Sequence, residues 1–285
     1  MIYITECPRD AMQGIHAFIP TTEKVRYLQQ LLAVGFPILD AGSFVSAKAI
    51  PQLSDTSEVF DQLDLSSTST KILAIVANKR GAEDAANHEK VHFLGFPFSV
   101  SETFQQRNTH ASIAESLDRV DEILEICSKQ NKELLVYLSM AFGNPYGDEW
   151  SADIVAHWAT TLEMRGVKHL SLADTTGISN PESISNLFQT ILPTLNGTSL
   201  SAHLHTLPGD VAKKAEAAYK AGCFRFDTAL KGFGGCPMAS DSLTGNMATE
   251  ELLAWSNVHS IETGLNMDAL LEAEQIANEL FTHYQ

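Results

Sequence analysis

A chain of 285 residues with 44% apolar and 19% charged side chains is long enough to bury a sizeable core and is charged like an ordinary globular protein. Its formal net charge of −16 argues against a nucleic-acid partner, whose binding rests on lysine and arginine, but leaves room for a small anion held by local basic residues. No apolar run approaches the ~18 residues of a membrane helix, and Met1 leads into Ile2, Tyr3 and Ile4 rather than a basic leader, so a cytoplasmic protein with no membrane partner is expected.

In chain order, the first apolar run, 2–6, reads as a strand that gives way to the turn Cys7-Pro8-Arg9-Asp10. A helix over 22–33 follows, capped by Thr21 and stopped by Gly35, and then a strand over 37–41 that ends at Asp40 with Ser43 just beyond. Strands at 71–76 and 91–95 precede a helix over 112–129 and a strand over 134–139. Ser151 opens a helix over 151–164 that Gly166 closes, and the next strand, 168–172, leads to Asp174. Asn180 with Pro181 starts a helix over 181–192, ahead of a strand over 199–204 that carries His203-Leu204-His205. A helix over 209–221 ends at Gly222, a strand over 224–228 follows, and 267–282 forms a last helix.

Eight strands alternating with helices at a spacing of roughly 30–40 residues predict a (β/α)₈ TIM barrel with an appended C-terminal helix, an α/β fold in which 1–285 is one catalytic domain. A doubly wound open sheet is the competing reading. It would announce itself with a glycine-rich turn after the first strand, where this chain has Cys7-Pro8-Arg9-Asp10. The four cysteines, at 7, 127, 223 and 236, lack CxxC spacing, so neither a disulfide framework nor a zinc site is indicated; three are expected to be buried or inert.

In such a barrel the chemistry sits at the C-terminal ends of the strands. Alternate residues of a strand face the same side, so His203 and His205 can both face the barrel mouth. Strands 7, 8 and 1 are neighbours in a closed barrel, which lets Asp10 and Asn246 converge on that pair. Two imidazoles, a carboxylate and an amide oxygen suit an octahedral Mg²⁺ or Mn²⁺, and the absence of a thiolate speaks against zinc. Arg9 places a permanent cation beside the site, where it can stabilise an oxyanion, although a plain ion pair with its neighbour would look the same. The stretch Lys231-Gly-Phe-Gly-Gly-Cys-Pro reads as a hinge-like loop presenting Cys236 for proton transfer. Lys48, Asn78 with Lys79 and Arg80, and Arg107 with Asn108 follow strands 2, 3 and 4, on a rim that suits a phosphate-bearing ligand or is ordinary solvated surface.

Together these residues resemble the hydroxymethylglutaryl-CoA lyases, within a wider group of metal-dependent lyase, aldolase and synthase barrels that share an Arg-Asp start and a His-x-His strand. The resemblance runs over essentially the whole chain. It includes Pro8-Arg9-Asp10 with Gln13, Ser43-Phe44-Val45-Ser46, Ser171-Leu172-Ala173-Asp174-Thr175, Gly232-Phe-Gly-Gly-Cys-Pro237 and Gly245-Asn-Met-Ala-Thr-Glu250, and the Gly-Gly-Cys-Pro loop is its most discriminating part. It implies a retro-Claisen cleavage of 3-hydroxy-3-methylglutaryl-CoA to acetoacetate and acetyl-CoA, in leucine degradation and ketone body metabolism. The ion would be held by Asp10, His203, His205 and Asn246, with Arg9 on the enolate oxygen and Cys236 moving protons. Asp40, one methylene shorter than the family's usual glutamate, and Asp174 complete the expected catalytic set, and the hydroxyl's base is left open among Asp40, Asp10 and a histidine. Gln13, Ser43, Lys48, Asn78 and Asn108 are the expected substrate-binding residues, the partner an acyl-CoA, and the assembly a homodimer.

Departures from the family pattern are Ala11, His16, Thr206-Leu-Pro-Gly209 and a slightly longer segment between Cys236 and Asn246. They bear on the acyl group more than on the reaction. Rival readings are a condensing isopropylmalate- or citramalate-type synthase, which usually carries extra C-terminal sequence, a 4-hydroxy-2-oxo acid aldolase, and a non-catalytic binding barrel.

Overall fold

The structure, a computed structural model, describes residues 1–234 and 245–284. Eight parallel strands close into a barrel in sequence order: β1 Tyr3–Glu6, β2 Ile38–Ser43, β3 Lys71–Ile75, β4 Val91–Ser99, β5 Glu133–Ser139, β6 His169–Ala173, β7 Ser199–His203 and β8 Arg225–Thr228, the last pairing with β1. That closure is the expected (β/α)₈ architecture rather than an open sheet. The helices are α1 Pro8–Gln13, α2 Thr21–Val34, α3 Thr56–Gln62, α4 Lys79–Ala86, α5 Glu102–Thr109, α6 Ile113–Gln130, α7 Ala152–Met164, α8 Pro181–Ile191, α9 Val211–Lys220, α10 Thr249–Val258 and α11 Met267–Tyr284. None of the described helices is long and apolar enough to cross a membrane.

Local chemistry explains most boundaries. Ser151 and Asn180 accept hydrogen bonds from the backbone N–H groups of Ile154 and Ser183, so both cap as expected. Thr21 does not cap: Pro20 takes that place and the Thr21 hydroxyl donates to Asp55 at 2.8 Å. Gly35 ends α2 at φ +83°, in the left-handed region that a residue with a Cβ enters at a cost. Strand β4 runs four residues past the expected end at 95 and includes Pro97, because Phe96 and Phe98 on either side are fully buried. The turn expected after β1 is a short helix instead. Pro8 occupies its first turn, where a missing N–H costs nothing, and Arg9, Asp10 and Gln13 fall on one face.

The expected strand over 199–204 ends at His203. After Leu204, His205 and Thr206 form a separate two-residue strand, antiparallel to Gly245–Asn246, with His205 opposite Asn246. The C-terminal helix α11 packs along α2, where Tyr27 and Phe281 meet edge to face with ring centroids 5.9 Å apart. Phe281 also lies 4.4 Å, centroid to centroid, from Phe233, and Lys231 Nζ donates to Glu274 at 2.7 Å. The helix therefore props the glycine-rich segment after β8.

A carboxylate supports that segment from below. Glu6, fully buried at the end of β1, accepts from Leu230 N at 2.7 Å, Thr249 Oγ1 at 2.6 Å and Thr228 Oγ1 at 3.3 Å, joining both ends of the loop. Burial pushes its carboxyl up to about 8, against the lowering effect of the Thr249 and Leu230 hydrogen bonds. The folded protein thus holds this proton more tightly than the unfolded chain does. Its contribution to stability is complete below the ordinary carboxylate value and is lost as pH climbs toward 8. Glu6→Gln, which stays neutral, is expected to flatten the fall in melting temperature between pH 5 and 8 seen by circular dichroism. Parallel curves for the two proteins would show that Glu6 does not titrate in that window.

Candidate active site

At the mouth of the barrel the ends of β1, β7 and β8 meet, as closure requires. Asp10, His203 and His205 are all buried, and one ligand atom from each lies within 4.8 Å of the others. This is a donor set fit for a divalent cation: two imidazole nitrogens and a carboxylate oxygen, preassembled and shielded from solvent. Asn246 adjoins it through the short strand pair, donating from Nδ2 to Asp10 Oδ2 at 2.6 Å and to Phe233 O at 2.8 Å. Both contacts are made by the amide nitrogen. Gly234, at φ +92°, passes so close that a Cβ there would lie 2.6 Å from Asp10 O and 2.7 Å from Asn246 Nδ2, so only glycine fits.

Arg9 is clamped from two sides. Its Nε reaches both oxygens of Asp40, at 3.2 and 3.1 Å, and Nη2 donates to Asp40 Oδ2 at 2.5 Å. Nη1 donates to Asp10 Oδ1 at 2.9 Å and to Gln13 Oε1 at 3.1 Å. Gln13 Nε2 also donates to Asp10 Oδ1, at 2.5 Å. Burial disfavours the Arg9 charge, but Asp40 and Asp10 outweigh it and leave the guanidinium firmly protonated. Burial likewise pushes Asp10 up, while Arg9, His203, His205 and the Asn246 hydrogen bond together hold its carboxyl below the ordinary value. Asp40 goes the other way: burial raises it and Arg9 offsets only part of the rise. Burial, reinforced by His203, pushes His205 down to about 4, so at neutral pH its imidazole is uncharged with a lone pair to offer.

These groups border one cavity of about 430 Å³. Arg9, Asp10, Gln13, His203 and His205 line it together with an apolar wall of Val45, Ile50, Ile75, Pro97 and Phe104, and with Arg107, Asn108 and His110. Of the sequence-derived residues, Arg9, Asp10, Gln13, Asn108, His203 and His205 therefore share one space. Others are placed elsewhere. Asp40 is enclosed behind Arg9 and does not border the cavity, so it orients the cation rather than meeting a ligand. Asp174 is equally enclosed: it accepts from Ser179 Oγ at 2.5 Å and from Lys214 Nζ at 3.2 Å, and Lys214 also donates to His205 O at 2.7 Å. That pair fixes the backbone of the second histidine instead of facing substrate. Ser43 is buried and accepts from Val45 N, and Asn78 is spent capping α4 through Gly81 N. Lys48 is exposed and does not line the cavity. Cys236 lies outside the described residues. The other three cysteines are buried, as expected.

Four residues that the sequence did not single out matter here. Glu6 and Lys214 are described above. Asp227, on β8, sits 3.3 Å from His203 Nδ1, and the Tyr137 ring stands edge-on to His203 with centroids 5.5 Å apart. An acidic residue at a buried position of a barrel strand was the available signal for Asp227.

A closed parallel barrel with a buried His-His-Asp cluster and an ion-paired arginine at the C-terminal ends of its strands defines an enzyme of the carbon–carbon lyase type. The HMGL-like family model matches residues 2–277, and the chain belongs to that family. Over 268 residues it is 32% identical to the mouse mitochondrial hydroxymethylglutaryl-CoA lyase, covering 93% of this chain and 81% of the relative. It is also 32% identical to the 3-hydroxy-3-isohexenylglutaryl-CoA/hydroxy-methylglutaryl-CoA lyase of Pseudomonas aeruginosa, covering 94% and 88%. The structure of an HMG-CoA lyase from Acinetobacter baumannii in complex with coenzyme A and 3-methylmalate superimposes with a TM-score of 0.92 at 30% identity, over 99% of this chain and 92% of that one.

Proposed function

We propose that this chain cleaves 3-hydroxy-3-methylglutaryl-CoA to acetoacetate and acetyl-CoA, using Mg²⁺ or Mn²⁺ held by Asp10, His203, His205 and Asn246. The observation that carries the reading is the placement of Arg9 beside the His-His-Asp cluster at one end of a single cavity. The cytoplasm is the proposed compartment, a homodimer the proposed assembly, and leucine degradation and ketone body metabolism the proposed setting.

A bound divalent ion would lower the pKa of the substrate's tertiary hydroxyl and neutralise charge on its oxygens. The protein's own groups account for the rest. Asp10, held ionised, borders the cavity and has a second carboxylate oxygen to accept the hydroxyl proton, whereas His205, neutral, would give its lone pair to the ion and Asp40 does not reach the cavity. As the C2–C3 bond breaks, the hydroxyl carbon becomes the ketone of acetoacetate, and the electron pair passes to C2 of the acetyl-CoA enolate. Arg9, pinned by Asp40, donates to that enolate oxygen without having to reorganise. An acid then protonates C2, and Cys236 is the proposed donor. The basic rim at Arg107 and His110 suits the phosphates of coenzyme A.

The apolar wall favours a second substrate reading, a larger alkyl group on C3 like that in the name of the Pseudomonas relative. One assay covers both: each CoA ester incubated with Mg²⁺ or Mn²⁺, then with excess chelator, and the released 3-oxo acid measured. Cleavage of neither ester in the presence of metal overturns the proposal. Cys236→Ala is expected to lose cleavage while keeping Mn²⁺ affinity in calorimetry. Loss of both would remove Cys236 from proton transfer and make it part of the ion's surroundings.

A further inference from the structure

The inner wall beneath the cation cluster carries a carboxylate that the proposed chemistry does not use. Asp227 is 3% exposed, and no lysine or arginine among the described residues lies within 4 Å of it. Its register explains its neighbours. On β8 it stands opposite His203 of β7. On the other side its neighbour is Thr5 of β1, while Tyr137, Ser171 and Ser201 form one row across β5, β6 and β7. Ser171 Oγ donates to Asp227 Oδ2 at 2.7 Å, and His203 Nδ1 lies 3.3 Å from that same oxygen. A carboxylate taken out of water with no cation beside it is costly, and its charge must be met by whatever N–H and O–H groups are in reach. Here the Ser171 hydroxyl does so, while His203 Nδ1 stands 3.3 Å off without making a hydrogen bond and Asp227 Oδ1 has no partner, so the nearest group left to share the charge is the His203 ring.

We propose that Asp227, steadied by Ser171, is the positioning residue that keeps the proton of His203 on Nδ1 and so leaves Nε2 free to ligate the cation. The inference rests on the reading of Asp10, His203 and His205 as a cation site. Three neighbours fix the ring. Asp227 meets Nδ1, the Tyr137 ring stands edge-on to it at 81°, and the His205 ring lies 5.5 Å away between centroids. A histidine ligand whose other nitrogen faces a carboxylate is held in one tautomer and one orientation, and loss of such an outer partner typically lowers metal affinity ~10–100-fold. The nearly isosteric change Asp227→Asn does more than remove charge. An amide can present its NH₂ to Nδ1, which rewards the opposite tautomer, with the proton on Nε2 where the ion should bind.

The test uses the full chain with Mn²⁺ alone, titrated by calorimetry, and ¹⁵N NMR of the metal-free, histidine-labelled protein to read the His203 tautomer, assigned with His203→Gln. Wild type is expected to bind Mn²⁺ and to show His203 protonated at Nδ1. Asp227→Asn is expected to bind ~10–100-fold more weakly, with its His203 shifted to the Nε2-protonated form, and Ser171→Ala to show a smaller loss. Unchanged Mn²⁺ affinity and tautomer in a folded Asp227→Asn overturn the inference while leaving the cation site intact. If wild type binds no Mn²⁺, the cation reading itself fails, and the inference with it. If Asp227→Asn does not fold, the wild-type tautomer and Ser171→Ala decide: His203 protonated at Nε2, or full affinity without the serine hydroxyl, rejects the role.

Discussion

Arg9→Met is expected to lower kcat by ~10²–10³-fold, the ~3–4 kcal/mol that a preorganised donor to a developing oxyanion supplies. KM should move little, because the interaction strengthens as charge builds on the oxygen rather than on binding. The same change strands Asp40, which has no other ion-pair partner among the described residues and is fully enclosed. Removing one member of a buried pair costs about 3–5 kcal/mol when the other stays charged. Burial already raises the Asp40 carboxyl, so protonation offers it an escape and limits the loss. The two effects separate in the double variant Arg9→Met/Asp40→Asn, which should regain much of the melting temperature and none of the turnover. If the double variant recovered activity, Arg9 would be a structural counter-ion and the enolate oxygen would be stabilised elsewhere.

Asp10→Asn is the second large effect. It keeps the shape of the side chain and an oxygen for Arg9 and Gln13, but removes the only carboxylate of the His-His-Asp cluster. Mn²⁺ affinity should fall by more than the ~10–100-fold seen when an outer partner of a ligand is lost, and cleavage should fall below detection at ordinary metal concentrations. Excess Mn²⁺ should restore part of the activity if the lesion is one of affinity. Undiminished Mn²⁺ binding would place the ion away from Asp10 and dismantle the cation cluster as drawn.

Much of the barrel can be read from the sequence because buried parallel strands are short apolar runs and their helices carry amphipathic repeats with recognisable caps and stops. Asp10, His203 and His205 could be brought together on paper because closure makes strands 7, 8 and 1 neighbours, a purely topological inference. Which carboxylate meets which cation is a different kind of question. Asp40 and Asp174 read as strand-end catalytic acids, yet β2 runs on to Ser43 and each carboxylate is taken up by one basic side chain, Arg9 or Lys214, that only the fold brings to it. Asn78 resembled a ligand contact until the start of α4 claimed its oxygen. Asp227 and Glu6 escaped notice because a lone acidic residue in a strand gains meaning only from its partners across the barrel, His203 in one case and Leu230 with Thr249 in the other.

The contacts between α11 and the segment after β8 set an order of events in the cell. Synthesis runs from the N- to the C-terminal side, so all eight strands leave the ribosome before the helix that brings Glu274 and Phe281 to Lys231 and Phe233. A nascent chain can therefore assemble its barrel while its reaction chamber still lacks a buttress. Competence should lag behind folding until α11 docks.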